Sequence, residues 1–255
     1  MTIYFFVLLL YKMINILHKM TSFIKTNKSG VQIQQKYNKH ILGIDHIAFR
    51  SLYKGMNKFD KNMYEKKSEI FNFPEYNVKA NEYYKINNSE STEYPLRIFS
   101  SYYIDDQCEN INKMIVSLEN NEFGDLYSYD DYMTIYNWNQ YVAWTMLHKD
   151  TINHIAYQVD NIEKVTETLI KDGFHFLPSK NKSSKIENSV NNMLNISPDG
   201  KLLQSSIVSV KKLYKFRDGY RPIPYTFIEF VERKDGREGF SESNANKIMH
   251  STKNL

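Results

Sequence analysis

Two stretches of the chain place a histidine in the same apolar setting. Ile44-Asp45-His46-Ile47-Ala48-Phe49-Arg50 aligns with Ile152-Asn153-His154-Ile155-Ala156-Tyr157-Gln158. Ile, His, Ile and Ala are identical, Asp matches Asn, and Phe matches Tyr. Each stretch reads as a β-strand, where side chains alternate between faces, so both histidines point the same way within their own units. Units packed about an approximate twofold axis bring the two imidazoles together. A chance recurrence of His-Ile-Ala is the plain alternative, since a lone histidine in an apolar strand is usually a core residue. Two at matching positions predict metal ligation, and neutral imidazole suits iron, zinc or copper. Glu229 is the candidate third ligand, an acid inside the apolar run Tyr225-Thr226-Phe227-Ile228-Glu229-Phe230-Val231. Burying it unpaired costs several kcal/mol, so it needs a cation or a strong partner. A buried ion pair with an arginine is the competing account. Two histidines and one carboxylate leave coordination positions open, as in non-haem Fe(II) sites. His148 ends a helix candidate and has no counterpart in the first stretch, so it is not expected to be a ligand.

The elements that must position these residues can be read from periodicity. Gly43–Ser51, Tyr94–Tyr103, Thr151–Asp160, Phe174–Leu177, Leu202–Tyr214 and Tyr225–Arg233 are expected strands. Lys54–Lys67, Glu109–Asn120 and Asn139–His148 are expected helices. A further helix is expected over Ile162–Lys171, with Asp160-Asn161 at its start and Gly173 at its stop. Ser179–Asp199 is rich in Ser, Asn and Lys and reads as a loop or hinge. The second half is thus β-α-β-β-β, and the histidine repeat, about 110 residues apart, marks a duplicated unit. The expected class is α+β. Residues 1–42 form an N-terminal helix and arm, and residues 43–255 one domain of two modules, about 43–150 and 151–255.

Composition narrows the alternatives. The 255 residues are 42% hydrophobic and 24% charged, which excludes a disordered or collagen-like chain. The net charge of +4 is scattered, so no basic stripe for nucleic acid is present. Cys108 is the only cysteine, which rules out an intrachain disulfide and fits a reducing, cytoplasmic setting. Ile3–Leu10 is the one strongly apolar run. It falls short of the roughly 20 residues a spanning helix takes and lacks a signal-peptide cleavage pattern. It is expected to pack as a helix or to precede a later start at Met13 or Met20, with a weak membrane anchor as the alternative. No Walker loop, Cys-x-x-Cys pair or Gly-x-Ser-x-Gly elbow occurs.

From Gly43 to Thr252 the chain resembles the 2-oxoadipate dioxygenase/decarboxylase family (hydroxyglutarate synthases) of the vicinal-oxygen-chelate superfamily, distantly related to 4-hydroxyphenylpyruvate dioxygenase. The resemblance rests on Asp45–Arg50, Tyr141–Thr145 followed by Ile152-Asn153-His154, Leu203–Ser206, Phe227–Arg233, Gly239-Phe240, Asn244-Ala245 and Ser251-Thr252. It implies two β-α-β-β-β-type modules in a curved sheet around a metal, with added helices. It implies Fe(II), or another divalent metal, on His46, His154 and Glu229. It also implies Arg50 as a substrate-binding, catalytic residue; residues i and i+4 share a strand face, so Arg50 looks into the cavity His46 lines. Gln204 lies beside that cavity, either bonding the oxo acid or serving the structure. A C-terminal helix around Phe240–Thr252 is a candidate lid. The implied reaction takes a 2-oxo acid and O2, most simply 2-oxoadipate to 2-hydroxyglutarate with release of CO2. The chain is shorter than many bacterial members, and Arg97, Arg217 and Arg221 are all candidates to read a distal carboxylate. A lyase, isomerase or hydrolase using zinc or manganese, or a binding relative without turnover, remain the alternative readings. Oligomeric state is not legible.

Overall fold

The computed structural model describes residues 39–52, 64–85, 97–104, 127–148, 151–178 and 190–251. The chain divides into two units, Met1–Ile41 and Leu42–Leu255. The apolar run Ile3–Leu10 and the helix expected over Glu109–Asn120 lie outside the described residues. Among the described residues, no helix is long and apolar enough to cross a membrane.

Among the described residues, eight strands form one mixed sheet: β1 (Ile41–Ser51), β2 (Tyr64–Phe73), β3 (Val78–Lys85), β4 (Arg97–Tyr103), β5 (Thr151–Val159), β6 (Asn195–Ile196), β7 (Leu202–Phe216) and β8 (Gly219–Arg233). Their order is β2-β3-β4-β1-β5-β8-β7-β6. The order is the same read outward from the centre in either direction. Each half starts with its histidine strand, pairs it in parallel with the last strand of the module, and continues antiparallel to the edge. This is the duplicated α+β architecture that the repeat implied. The two histidine strands are neighbours at the centre of the sheet, the one place where related positions of both halves can meet.

Among the described residues, four α-helices flank the sheet: α1 (Tyr129–Trp138), α2 (Gln140–His148), α3 (Ile162–Lys171) and α4 (Glu242–Ser251). α1 starts at a capping box, in which Asp131 N–H donates to Ser128 Oγ (3.2 Å) and Ser128 N–H to Asp131 Oδ2 (2.8 Å). The Ser-x-x-Asp signature was present in the sequence, yet no helix was expected there. Asn139 caps α2, its Oδ1 accepting from the N–H groups of Tyr141 and Val142. α2 is buried from Gln140 to Leu147 and so has no polar face. α3 runs over the expected residues, with Asn161 as its N-cap (Lys164 N–H at 2.9 Å) and Gly173 past its end at φ 87°. That left-handed geometry suits glycine.

Three expectations need correction. Residues 64–67 belong to β2 rather than to a helix, because backbone pairing with β3, from Tyr64↔Lys85 onward, overrides the helical propensity of the Glu-Lys-Lys run. Phe174–Leu177 makes only an isolated bridge, Phe176↔Ile207, and β7 loses regular register just beyond Ile207. β8 begins at Gly219, six residues before the expected start, and contains Pro222 and Pro224. β5 pairs with β8 only from Phe227 to Val231, so the prolines sit where β8 has β7 on one side alone. A missing N–H is tolerated on such an unpaired side.

Candidate metal centre and cavity

The central strands β1 and β5 and the adjoining β8 carry the three candidate ligands. His46 lies on β1, His154 on β5, and Glu229 on β8 opposite Ala156. Nε2 of His46 is 3.1 Å from Nε2 of His154. Glu229 Oε1 lies 3.8 Å from His46 Nε2, and its Oε2 3.9 Å from His154 Nε2. One ligand atom from each residue falls within 4.8 Å of the others, a group that can hold a metal ion. His46 and Glu229 are fully buried, at 2% and 1% exposure.

The residue before each histidine sets the imidazole's orientation. His46 Nδ1–H donates to Asp45 Oδ1 (2.8 Å), and His154 Nδ1–H donates to Asn153 Oδ1 (3.1 Å). With Nδ1 protonated in both rings, both Nε2 atoms present lone pairs to the same point. At 3.1 Å two lone pairs repel unless a cation or proton lies between them. Burial, with His46 and Arg50 close by, pushes the His154 imidazole well below its ordinary pKa, which favours the neutral ligand form. Burial raises Glu229, opposed by His46 and by a hydrogen bond from Gln204. A cation in the gap would complement both lone pairs and the carboxylate. The donor set therefore fits a metal, and an outer partner on the second imidazole nitrogen is usual for metal-bound histidine.

A second layer holds these groups. Burial alone would raise Asp45, but hydrogen bonds and charge from Arg233 and His46 hold it well below the usual carboxylate range. Arg233 grips Asp45 with two prongs, Nε to Oδ2 at 2.6 Å and Nη2 to Oδ1 at 2.9 Å. It also donates to the Gly239 carbonyl (2.6 Å) and lies over the Phe240 ring, which meets His46 edge-on at 4.7 Å. Among the described residues, Glu229 is not paired with an arginine; the arginine of its own strand, Arg233, holds Asp45 instead. Gln204 Nε2 donates to Glu229 Oε1 (2.6 Å), and its Oε1 accepts from Asn244 Nδ2 (2.9 Å).

Arg50 lines the same cavity. Its guanidinium lies 5.0 Å from the Tyr141 ring centre and 5.3 Å from that of Trp144. Its hydrogen bond goes to Met249 Sδ (3.1 Å), a weak acceptor. Burial lowers the Arg50 pKa, so its charge sits in a poorly solvated place. Among the described residues it is the only lysine or arginine lining this cavity, whose other walls include Ala48, Phe73, Phe99, Phe227 and Phe240. Arg97 is turned onto Asp45 (3.5 Å). Arg217 and Arg221 form ion pairs with Asp131 and Asp218 and do not line the cavity. His148 is outside the ligand group, with Nε2–H on the Pro224 carbonyl (3.0 Å) and Nδ1 on the Tyr214 hydroxyl. α4 covers the cavity through Ala245, Ile248 and Met249. Sequence reasoning missed the roles of Asp45, Asn153, Arg233 and Asn244. The Asp/Asn match inside the repeat was the available signal for the first two.

Residues 119–236 match the family model described as 2-oxoadipate dioxygenase/decarboxylase. That range contains His154, Gln204 and Glu229 but does not reach His46 and Arg50. The chain is 34% identical over 150 residues to the chloroplastic/amyloplastic 2-oxoadipate dioxygenase/decarboxylase of Oryza sativa, covering 49% of this chain and 38% of that protein. It is 34% identical over 131 residues to the chloroplastic protein of that name from Arabidopsis thaliana, covering 45% of this chain and 34% of that one. The matched stretches thus span well under half the length of these plant relatives. Among solved structures, hydroxyglutarate synthase from Oryza sativa in complex with 2-oxoadipate superposes with a TM-score of 0.74 at 23% identity, covering 98% of this chain and 92% of that one. A glyoxalase-superfamily protein from Ralstonia eutropha gives 0.59 at 16% identity, covering 78% and 75% of the two chains. The chain is thus similar in sequence to 2-oxoadipate dioxygenase/decarboxylases over residues 119–236, and over most of its length it shares the vicinal-oxygen-chelate fold of the hydroxyglutarate synthase structure.

Proposed function

We propose that the chain is a non-haem iron dioxygenase that decarboxylates a 2-oxo acid, with 2-oxoadipate giving 2-hydroxyglutarate. The balance is one oxo acid and one O2 consumed, one hydroxy acid and one CO2 released. The carbon–carbon bond to the first carboxyl breaks; one oxygen atom enters the new carboxyl group and the other becomes the hydroxyl. Iron(II) on His46, His154 and Glu229 would supply the redox chemistry with O2. The chain's own residues do the rest. Asp45 and Asn153 keep the two Nε2 atoms unprotonated and aimed at one point. Phe240, Phe227 and Phe99 exclude water from the cavity.

The observation that carries this reading is Arg50. A half-buried guanidinium shares a cavity with the candidate metal ligands, and among the described residues its donors reach a thioether and two ring faces. A substrate carboxylate is the acceptor that this planar fork fits. An acidic 2-oxo acid offers such a carboxylate together with the vicinal oxygens a metal with open positions takes.

The test is anaerobic purification, metal analysis and iron loading, followed by O2 uptake with 2-oxo acids of graded length and terminal charge. Equal consumption of O2 and release of CO2 with 2-oxoadipate is expected. Iron-loaded protein that consumes no O2 with any member of the series would sink the proposal. Turnover without O2 on zinc or manganese would favour a lyase, isomerase or hydrolase.

A further inference from the structure

Helix α4 does more than cover the cavity. Asn244, on its first turn, is fully buried, and its Nδ2 faces three acceptors: Gln204 Oε1 at 2.9 Å, the Asn195 carbonyl at 3.2 Å and the Leu202 carbonyl at 3.2 Å. Two of these are backbone carbonyl oxygens, which can only accept. They fix which end of the Asn244 amide is nitrogen, because the flipped amide would set its oxygen against all three. The amino group of Asn244 in turn requires an oxygen from Gln204 at that point. The Gln204 Nε2 is thereby left facing Glu229 Oε1 at 2.6 Å. The order of donors is therefore dictated from the β6–β7 carbonyls through Asn244 and Gln204 to the carboxylate.

We propose that Asn244 is a positioning residue for Glu229, acting through Gln204, so that the seating of α4 and metal binding are coupled. Without Asn244, the Gln204 amide is free to turn its oxygen toward Glu229, where it repels the carboxylate. The held orientation keeps a donor on Oε1 and fixes the carboxylate plane while Oε2 stays turned toward His154. The inference rests on the metal reading of His46, His154 and Glu229.

The test is a titration of metal-free full-length protein with Co(II), followed by its visible absorption, on the wild type, Asn244→Ala, Gln204→Met and the double variant. Each single change is expected to weaken Co(II) binding about 10- to 100-fold, the usual effect of removing an outer partner of a ligand. The double variant should be no weaker than Gln204→Met alone, because both changes break one relay. Additive losses would show that Asn244 acts on the fold and not through Gln204, and would overturn the inference. A second measurement does not depend on Asn244→Ala folding. Co(II) should slow backbone hydrogen exchange in α4 of the wild type, and should fail to do so in Gln204→Met at saturating metal. Equal protection in both proteins would also overturn it. Wild type that shows no saturable Co(II) binding fails the metal reading itself, whereas tight binding unchanged by every variant fails only the role of Asn244.

Discussion

Asp45 and Asn153 occupy the same place in the repeat and make the same bond, each taking the Nδ1–H of the histidine that follows it. One is a charged acceptor and the other neutral, and the structure shows why. Asp45 sits against Arg233 and Arg97, which balance its charge, while the neutral Asn153 amide needs no balancing cation. A carboxylate partner makes an imidazole a stronger ligand than an amide does, so the two histidines are unequal donors.

Asp45→Asn should therefore weaken metal binding about 10- to 100-fold, and Asn153→Ala less. The same change strands Arg233, a buried cation at 4% side-chain exposure. Loss of one member of a buried pair typically costs about 3–5 kcal/mol. Metal titration and urea unfolding of the metal-free protein separate the two effects. An Asp45→Asn protein as stable and as tightly metal-bound as the wild type would remove Asp45 from the site's support.

The central part of this site was legible because duplication writes it twice. His46 and His154 stood out by matching, and Glu229 by being an acid in an apolar strand. β2 and β3 were not read, since pairing to a neighbouring strand is a long-range fact that local composition does not carry. Arg233 and Asn244 lay inside recognisable motifs, but their partners, Asp45 and Gln204, are distant in sequence. A hydrogen bond across such separation has no periodicity to betray it. The starting point of β8 was missed because proline argues against a strand, and only the sheet order reveals a side on which proline is harmless.

His148 provides a pH dependence of folding. Burial pushes its pKa down to about 3 from an ordinary 6.5, with Lys212 and Arg50 adding to the effect and the Pro224 carbonyl opposing it. The unfolded chain takes up a proton near pH 6.5 that the folded chain refuses, so stability falls as pH drops below that value. The slope approaches about 1.4 kcal/mol per pH unit. His148→Gln, which keeps a donor for Pro224, should be less stable than the wild type at pH 7.5. At pH 4.5 that gap should be smaller by about 2.7 kcal/mol. Parallel stability curves for the two proteins across this range would show that His148 titrates normally.

Phe240 joins three parts of the site, packing on His46, on Phe99 at 5.0 Å and under Arg233 at 5.7 Å. It is 7% exposed, so Phe240→Ala leaves a cavity beside the metal ligands. A loss of about 3 kcal/mol or more is expected in urea unfolding. Phe240→Leu should cost less than half of that. Equal stability of all three proteins would mean that the loop and α4 are not packed on the sheet through this ring.

Arg50 separates an enzyme from a binding relative. Arg50→Lys keeps the charge but loses the two-pronged geometry, and the lysine amine cannot lie flat between Tyr141 and Trp144. A hydrogen bond to a charged group is worth about 1.5–3 kcal/mol, which corresponds to roughly 10- to 150-fold in kcat/KM. Arg50→Ala should lose more. Neither change touches His46, His154 or Glu229, so metal content should stay at the wild-type level. The measurements are O2 uptake with 2-oxoadipate and a metal count on each variant. Equal activity in the three proteins would refute the carboxylate role. Metal lost together with the guanidinium would make Arg50 a support of the metal centre rather than a contact to substrate.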